Sequence, residues 1–319
     1  MARRYSSGAD PSDFGDLLSP SEAEEPILAR PVRAALLEWL TEIWAAEELL
    51  AVGLKPRRRA LFHGPPGTGK TTLAHHLAAR LGLPLLVVRP EKLVDSLLGG
   101  TGRNIGALFE AVREEPAVLF FDEFEAIAAA RQPGGRDAQR EMNSVVNVLL
   151  QRIEGHDGFI IAASNFARSL DPAIWRRFEL QIEIEVPGQE ERERILARYL
   201  APFGLPAAAL AGLARACDTA SPALLRMLCE GLKRNLVIGP QVGWPMDRDG
   251  VFDRVLAAAV PHPDLGRPEL WTRGRKAPAL AGLPWPLPRL DDLPGIEAAE
   301  SAGGLLRPAV VVPWPGRGE

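Results

Sequence analysis

Residues 62–72 read FHGPPGTGKTT. Gly64, Gly69, Lys70 and Thr71 fill the pattern GxxxxGK(S/T), between an apolar run, RRALFH (58–63), and a stretch with helical character (71–81). That strand–loop–helix context distinguishes a phosphate cradle from a glycine-rich turn. The glycines let backbone N–H groups approach phosphate oxygens, and the helix N-terminus adds its partial positive charge. Gly64, Pro65, Pro66, Gly67, Thr68, Gly69, Lys70, Thr71 and Thr72 are therefore the candidate nucleotide-binding set. Lys70 is expected to reach the β- and γ-phosphates, and the Thr71 hydroxyl to ligate Mg²⁺.

Outward from the cradle, short apolar runs alternate with helical segments. RRALFH (58–63), LPLLVV (83–88), AVLFF (117–121), FIIAA (159–163) and LQIEIEV (180–186) read as strands. AVLFF and FIIAA are apolar throughout, as in strands buried on both faces of a parallel sheet. LQIEIEV alternates apolar with polar residues and reads as a half-exposed edge, its charges discouraging further pairing. The pattern predicts an α/β domain with a doubly wound parallel sheet over 31–187, opened by one helix over 31–50. After Pro187–Gly188 the strands stop, and 189–200, 207–218, 221–238 and 249–260 read as helices of a small helical lid domain, 188–260. Ser221–Pro222 makes a cap and first-turn pair. Residues 1–30, rich in Ser, Asp, Glu, Pro and Gly up to about residue 26, are expected to be disordered. From 240 onward lie 13 of 29 prolines and 4 of 7 tryptophans. The tail, 261–319, is accordingly expected to follow an irregular, extended path, strapped to its own domains or reaching a partner.

A chain of 319 residues with 46% hydrophobic and 24% charged residues has the composition of a globular protein. Its formal charge of −4 gives no global pull toward nucleic acid or an anionic membrane. No apolar run is long enough to span a bilayer, and the first residues lack a secretion signal. Cys217 and Cys229 lie in apolar helical contexts without metal-ligand spacing. They read as buried thiols of a reducing compartment, which places the protein in the cytoplasm.

Three uses of bound ATP are open: sensing it, hydrolysing it for work, or moving its phosphate to a substrate. AVLFFDEFE (117–125) ends a buried strand in acids. Asp122 stands where ligands bind in such sheets and can hold the Mg²⁺ shell. Glu123 beside it can polarise an attacking water as general base. Nothing resembles a second acceptor site, so water is the expected acceptor.

With GPPGTGKT (64–71), FFDEFEAI (120–127), IIAASN (160–165) and LDPAIWRRFE (170–179) in hand, the chain resembles the AAA+ ATPases, within them the bacterial stand-alone members of the AAA clade. The resemblance runs from about 31 to 238 and implies a sheet in the order 5-1-4-3-2 and a helical lid. It also implies a homo-oligomeric ring, usually of six subunits, with ATP at each subunit boundary. It puts Asn165 at the position that orients water and reads the γ-phosphate. It puts Arg177 on the arginine finger supplied to a neighbour, with Arg176 where many relatives have glycine. The alternative for both arginines is pairing with Glu179 or other surface acids. There are departures. VGLKPRRR (52–59) is the nearest match to the family's adenine-side lead-in, and Leu224 occupies the sensor-2 place, with Arg226 two residues away. The pore-loop stretch 91–112 carries Leu97 and Leu98 in place of an aromatic residue, and 131–143 would be the second pore segment. The expected function is ATP-driven remodelling of a protein partner or substrate. The alternative is a nucleotide-controlled switch that docks a partner without threading it. A DNA-acting loader ranks last, because no basic excess supports it.

Overall fold

The computed structural model describes residues 9–93, 100–125, 136–166 and 170–293, with the backbone alone for 136–145. The sheet is built from β1 (Gly15–Leu18), β2 (Arg59–His63), β3 (Leu85–Val88), β4 (Val118–Phe121), β5 (Ile160–Ser164) and β6 (Leu180–Glu183). Their order is β1-β3-β4-β5-β2-β6. The five strands expected from sequence pair in parallel, in the 5-1-4-3-2 order that the resemblance implied. Single-residue alternation explains how both faces are covered. Ala60, Phe62, Val118, Phe120, Ile161 and Ala163 pack toward α1 (Arg30–Trp44) and the cradle's helix. Leu61, Leu119, Phe121, Ile160 and Ala162 pack toward the opposite layer.

The expectation of disorder over the first thirty residues is corrected from residue 9 onward. β1 runs antiparallel to β3, pairing Gly15 with Val88 and Leu18 with Leu85. Gly15 is needed there: a Cβ would stand 2.0 Å from the Val87 carbonyl oxygen. Phe14 is buried, Arg89 clasps Asp16 through two nitrogens, and His75 meets the Ser19 carbonyl. A polar, proline-containing segment is ordered here because existing backbone partners on a sheet edge satisfy it, a tertiary gain that composition does not register.

The helix expected over 31–50 divides at Ala45 into α1 and α2 (Ala46–Ala51). Next come α3 (Lys70–Arg80), α4 (Gly100–Glu114), α5 (Arg136–Gly155) and the short α6 (Pro172–Trp175). Leu97 and Leu98 lie outside the described residues, as do 131–135 of the second pore stretch; 136–143 open α5.

Beyond the sheet, α7 (Gln189–Leu200), α8 (Ala207–Ala216), α9 (Pro222–Val242) and α10 (Arg248–Ala258) enclose a separate core. That core does not end at 260. Leu270, Trp271, Leu280, Leu283 and Leu287 are buried in it. Leu290 N–H donates to the Pro202 carbonyl, and Gly204 N–H donates to that of Pro288. The expected boundary at 260 is therefore corrected: residues 263–290 are part of the lid's packing, in short helical turns rather than one extended strap. Cys217 and Cys229 are buried and unbridged, and burial pushes both thiols up, Cys229 to about 12. Among the described residues no helix is long and apolar enough to cross a membrane.

Candidate functional site

The loop between β2 and α3 turns on glycines. Gly64 has φ 142° and Gly69, which precedes the first turn of α3, has φ 92°. A Cβ on Gly64 would also meet the Ile184 carbonyl oxygen at 2.1 Å, so only glycine fits. Gly64 N–H donates to the Ser164 carbonyl and the Thr68 hydroxyl to the Pro65 carbonyl, which holds the loop against β5. Lys70 is 6% exposed, and its Nζ donates to the Gly64 and Pro65 carbonyls, each at 2.8 Å. Burial lowers its pKa, and the Asp122 and Glu125 carboxylates oppose that shift.

β4 delivers the acids. The Thr71 hydroxyl donates to Asp122 Oδ2 at 2.8 Å, so a hydroxyl and a carboxylate converge beside the loop. That donor set suits Mg²⁺, which takes one or two protein oxygens and completes its shell with phosphate and water. Among the described residues no cluster of three or more His, Cys, Asp or Glu side chains competes as a metal site. Glu123 has φ 47°, and it is the only described non-glycine residue in the left-handed region. Its N–H is held by Asp122 Oδ1 at 2.9 Å, and its side chain is exposed to the cleft. Such backbone strain is retained where the surroundings enforce it.

These groups line one cleft of about 400 Å³. Pro66, Gly67, Gly69, Lys70, Thr71 and Thr72 form its floor, Asp122, Glu123 and Asn165 one wall, and Tyr199, Pro222, Ala223 and Arg226 of the lid the other. Gly64, Pro65 and Thr68 shape the loop beneath it. Ala223 N–H donates to the Gly67 carbonyl, bonding the lid directly to the phosphate loop. Leu224, at the sensor-2 place, is buried in the lid core; Arg226 is the lid cation on the cleft. Its guanidinium lies 5.3 Å over the Tyr199 ring and 2.7 Å from Glu230.

Arg176 and Arg177 do not line this cleft. They follow α6, whose Asp171 cap accepts from Ala173 N–H at 2.7 Å. Arg176 is exposed, whereas Arg177 pairs with Glu154. Glu179 pairs with Arg59 instead.

Sequence reasoning missed three contributors. Glu125 Oε1 accepts the Asn165 N–H at 3.1 Å, fixing the end of β5 from the end of β4. Tyr199 and Arg198 come from α7, and Arg198 donates to the Glu25 carbonyl at 2.6 Å. The third is Glu24–Leu28, which with Thr68, Gly69, Thr72 and Tyr199 borders a cavity of about 60 Å³ adjoining the cleft. This segment lies before α1. In the 52–59 stretch, Arg57 pairs with Glu38 and Glu42 of α1, and Arg59 opens β2. The one signal in the sequence was the apolar pair Ile27–Leu28 directly before a helix.

A parallel sheet in this order, with a glycine loop feeding a helix and paired acids on the strand two places away, defines a P-loop nucleotide-binding ATPase fold. Residues 60–186 match the AAA family, the ATPase family associated with various cellular activities, and so form an AAA domain. It is 46% identical over 172 residues to an uncharacterized AAA family ATPase, y4kL, of Sinorhizobium fredii, covering 53% of this chain and 51% of that protein. It is 36% identical to 26S proteasome regulatory subunit 10B homolog A of Arabidopsis thaliana, over 49% of this chain and 41% of the relative. It is 33% identical to the ATP-dependent zinc metalloprotease FtsH 1 of Symbiobacterium thermophilum, over 67% and 38%. The chain thus spans about half or less of the length of these curated relatives. The crystal structure of the FIGL-1 AAA domain superposes with a TM-score of 0.61 at 20% identity, over 79% of this chain and 87% of that one. The same domain has also been solved in complex with ADP, with the same TM-score.

Proposed function

We propose that this chain binds ATP with Mg²⁺ in the cleft and hydrolyses it to remodel a protein partner or substrate, working as a homo-oligomeric ring of six subunits in the cytoplasm. The observation that carries the reading is the convergence of Lys70, Thr71, Asp122, Glu123 and Asn165 on one cleft while Arg177 stands outside it. Lys70 exchanges its loop carbonyls for phosphate oxygens. Thr71 and Asp122 would hold Mg²⁺, which supplies neutralisation of phosphate charge when bound. Glu123 takes the proton of the attacking water, and Asn165 orients that water. Charge developing on the phosphoryl group beyond what Lys70 neutralises is met by Arg177 of a neighbour, with Arg176 beside it. Likeness to a proteasome regulatory subunit and an ATP-dependent metalloprotease supports a protein as the object of the work. Two buried free thiols suit a reducing compartment. The functional unit spans the N-terminal edge strand, the P-loop domain and a lid extended by residues 263–290.

The second reading, a nucleotide-timed switch that docks its partner, is favoured by the leucines at 97 and 98 where an aromatic grip would stand. The test of the shared part is ATP turnover per subunit against protein concentration. The rate should rise with concentration, and Arg177→Ala should bind ATP normally yet stay slow throughout. A concentration-independent rate with fully active Arg177→Ala removes the intersubunit site. Unfolding of a tagged partner protein then separates remodelling from switching.

A further inference from the structure

Arg177 is not simply a surface arginine. Its Nη1 donates to the Ala173 carbonyl at 2.6 Å, and its Nε stands 2.8 Å from Glu154 Oε1. That approach is a charge contact without hydrogen-bond alignment, and Nε makes no hydrogen bond although it is buried. Glu154 lies in the last turn of α5, where its own carboxylate faces the negative end of the helix dipole. Arg59 covers the same end by donating to the Glu154 carbonyl at 3.1 Å. Arg177 therefore neutralises an acid that is badly placed on its own helix.

The backbone around Arg177, by contrast, is pinned. Phe178 is 2% exposed and meets Phe124 edge-to-face at 5.7 Å, next to Glu123 in sequence. Gln181 Nε2 donates to the carbonyls of Trp175 and Phe178. Arg176 in the same turn is exposed and has no ion pair among the described residues. One cation on a fixed backbone is thus held by a partner, and its side chain can leave by rotation alone.

We propose that Glu154 is a positioning residue that parks Arg177 within its own subunit, so that a neighbouring subunit's ATP must displace Glu154 before the finger engages. The proposal rests on the reading of Arg177 as a finger. The contact is half-exposed, and pairs of that kind are modest. It therefore sets a threshold for assembly without blocking it. The threshold acts on the equilibrium between parked and engaged arginine, whereas the chemistry of the engaged state does not involve Glu154.

The experiment is ATP turnover against protein concentration for the full chain, its Glu154→Gln and Glu154→Asp variants, and Arg177→Ala, with melting curves to establish folding. Glu154→Gln removes the charge and keeps the shape. Its half-maximal concentration should fall about twofold to fivefold, the span that a modest half-exposed pair allows, with the saturating rate unchanged. Glu154→Asp, retaining charge on a shorter arm, should fall between wild type and Glu154→Gln. A merely structural role would shift the melting curve and leave the half-maximal concentration in place. Unshifted or raised values in both Glu154 variants, with Arg177→Ala inactive, overturn the parking contact alone. Fully active Arg177→Ala overturns the finger and the parking contact together.

Discussion

Lys70 reaches its place because the loop before it folds back on itself, and the two carbonyls it contacts are the partners that phosphate must replace. A buried ammonium bonded only to neutral carbonyls is a poor end state and a good anion receptor, which is also why burial lowers its pKa. Lys70→Ala should therefore abolish ATP binding. Glu123→Gln should leave affinity intact and stop turnover, since the amide keeps the shape but cannot take a proton. Titration with a fluorescent nucleotide and a phosphate-release assay read the two effects separately, and normal hydrolysis by Glu123→Gln would refute its role as base. At this scale Lys70, Thr71, Asp122 and Glu123 were legible because local spacing and one strand end suffice to place them. Glu125 and Tyr199 were not. Glu125 acts on Asn165, forty positions away in sequence, and Tyr199 becomes a site residue only when the lid folds over the loop.

The turn from α5 into β5 shows what an element boundary can store. His156 leaves α5 with its ring edge-on to Phe109 of α4 at 5.3 Å, and its Nε2 is buried without a hydrogen bond. Burial is the main cause that pushes its pKa down from 6.5 to about 4; Arg113 and Arg58 add to the effect and Asp157 opposes it. The folded protein thus binds this proton less readily than the unfolded chain does. The stabilising contribution is full above pH 6.5 and is lost as pH falls through that window toward about 4. Its size is on the order of 3 kcal/mol from the shift alone. His156→Gln should flatten the loss of melting temperature between pH 6.5 and 4 relative to wild type. An unchanged acid profile would show that His156 stays neutral for other reasons, or is protonated without penalty. Nothing in the sequence marked this histidine, because its environment is made by α4 packing on α5. The parallel strands, in contrast, were legible to within two or three residues, since continuous apolar runs carry their own signal. β1 was not: four residues reading GDLL become a strand only because β3 offers an open edge and Gly15 permits the approach.

At the scale of the whole molecule the lid is the part whose extent the sequence understated. Proline-rich composition announced irregular structure after 240, and irregular structure is present, yet it is as much core as the helices are. Trp271 donates its indole N–H to the Ala259 carbonyl, and Trp285 donates to that of Met246. Trp271 thus buries its ring and Trp285 packs a partly buried one, each satisfying its one polar atom. Leu270, Trp271, Leu280, Leu283 and Leu287 are all 5% exposed or less. At roughly 1.5–3 kcal/mol for each buried side chain, their loss approaches the total of about 5–15 kcal/mol that holds a domain folded. Truncation after residue 262 should therefore lower the melting temperature at every protein concentration, because the lost contacts lie within one chain. Truncation after 293 removes none of these five side chains. The lid also carries Tyr199, Pro222, Ala223 and Arg226 to the cleft, so the shorter protein should lose nucleotide affinity along with stability. Differential scanning fluorimetry over a hundredfold range of protein concentration, with and without ATP, measures both. If truncation at 262 left the melting curve of the dilute protein unchanged and weakened only its self-association, residues 263–290 would be an arm for a neighbour and not part of the lid core.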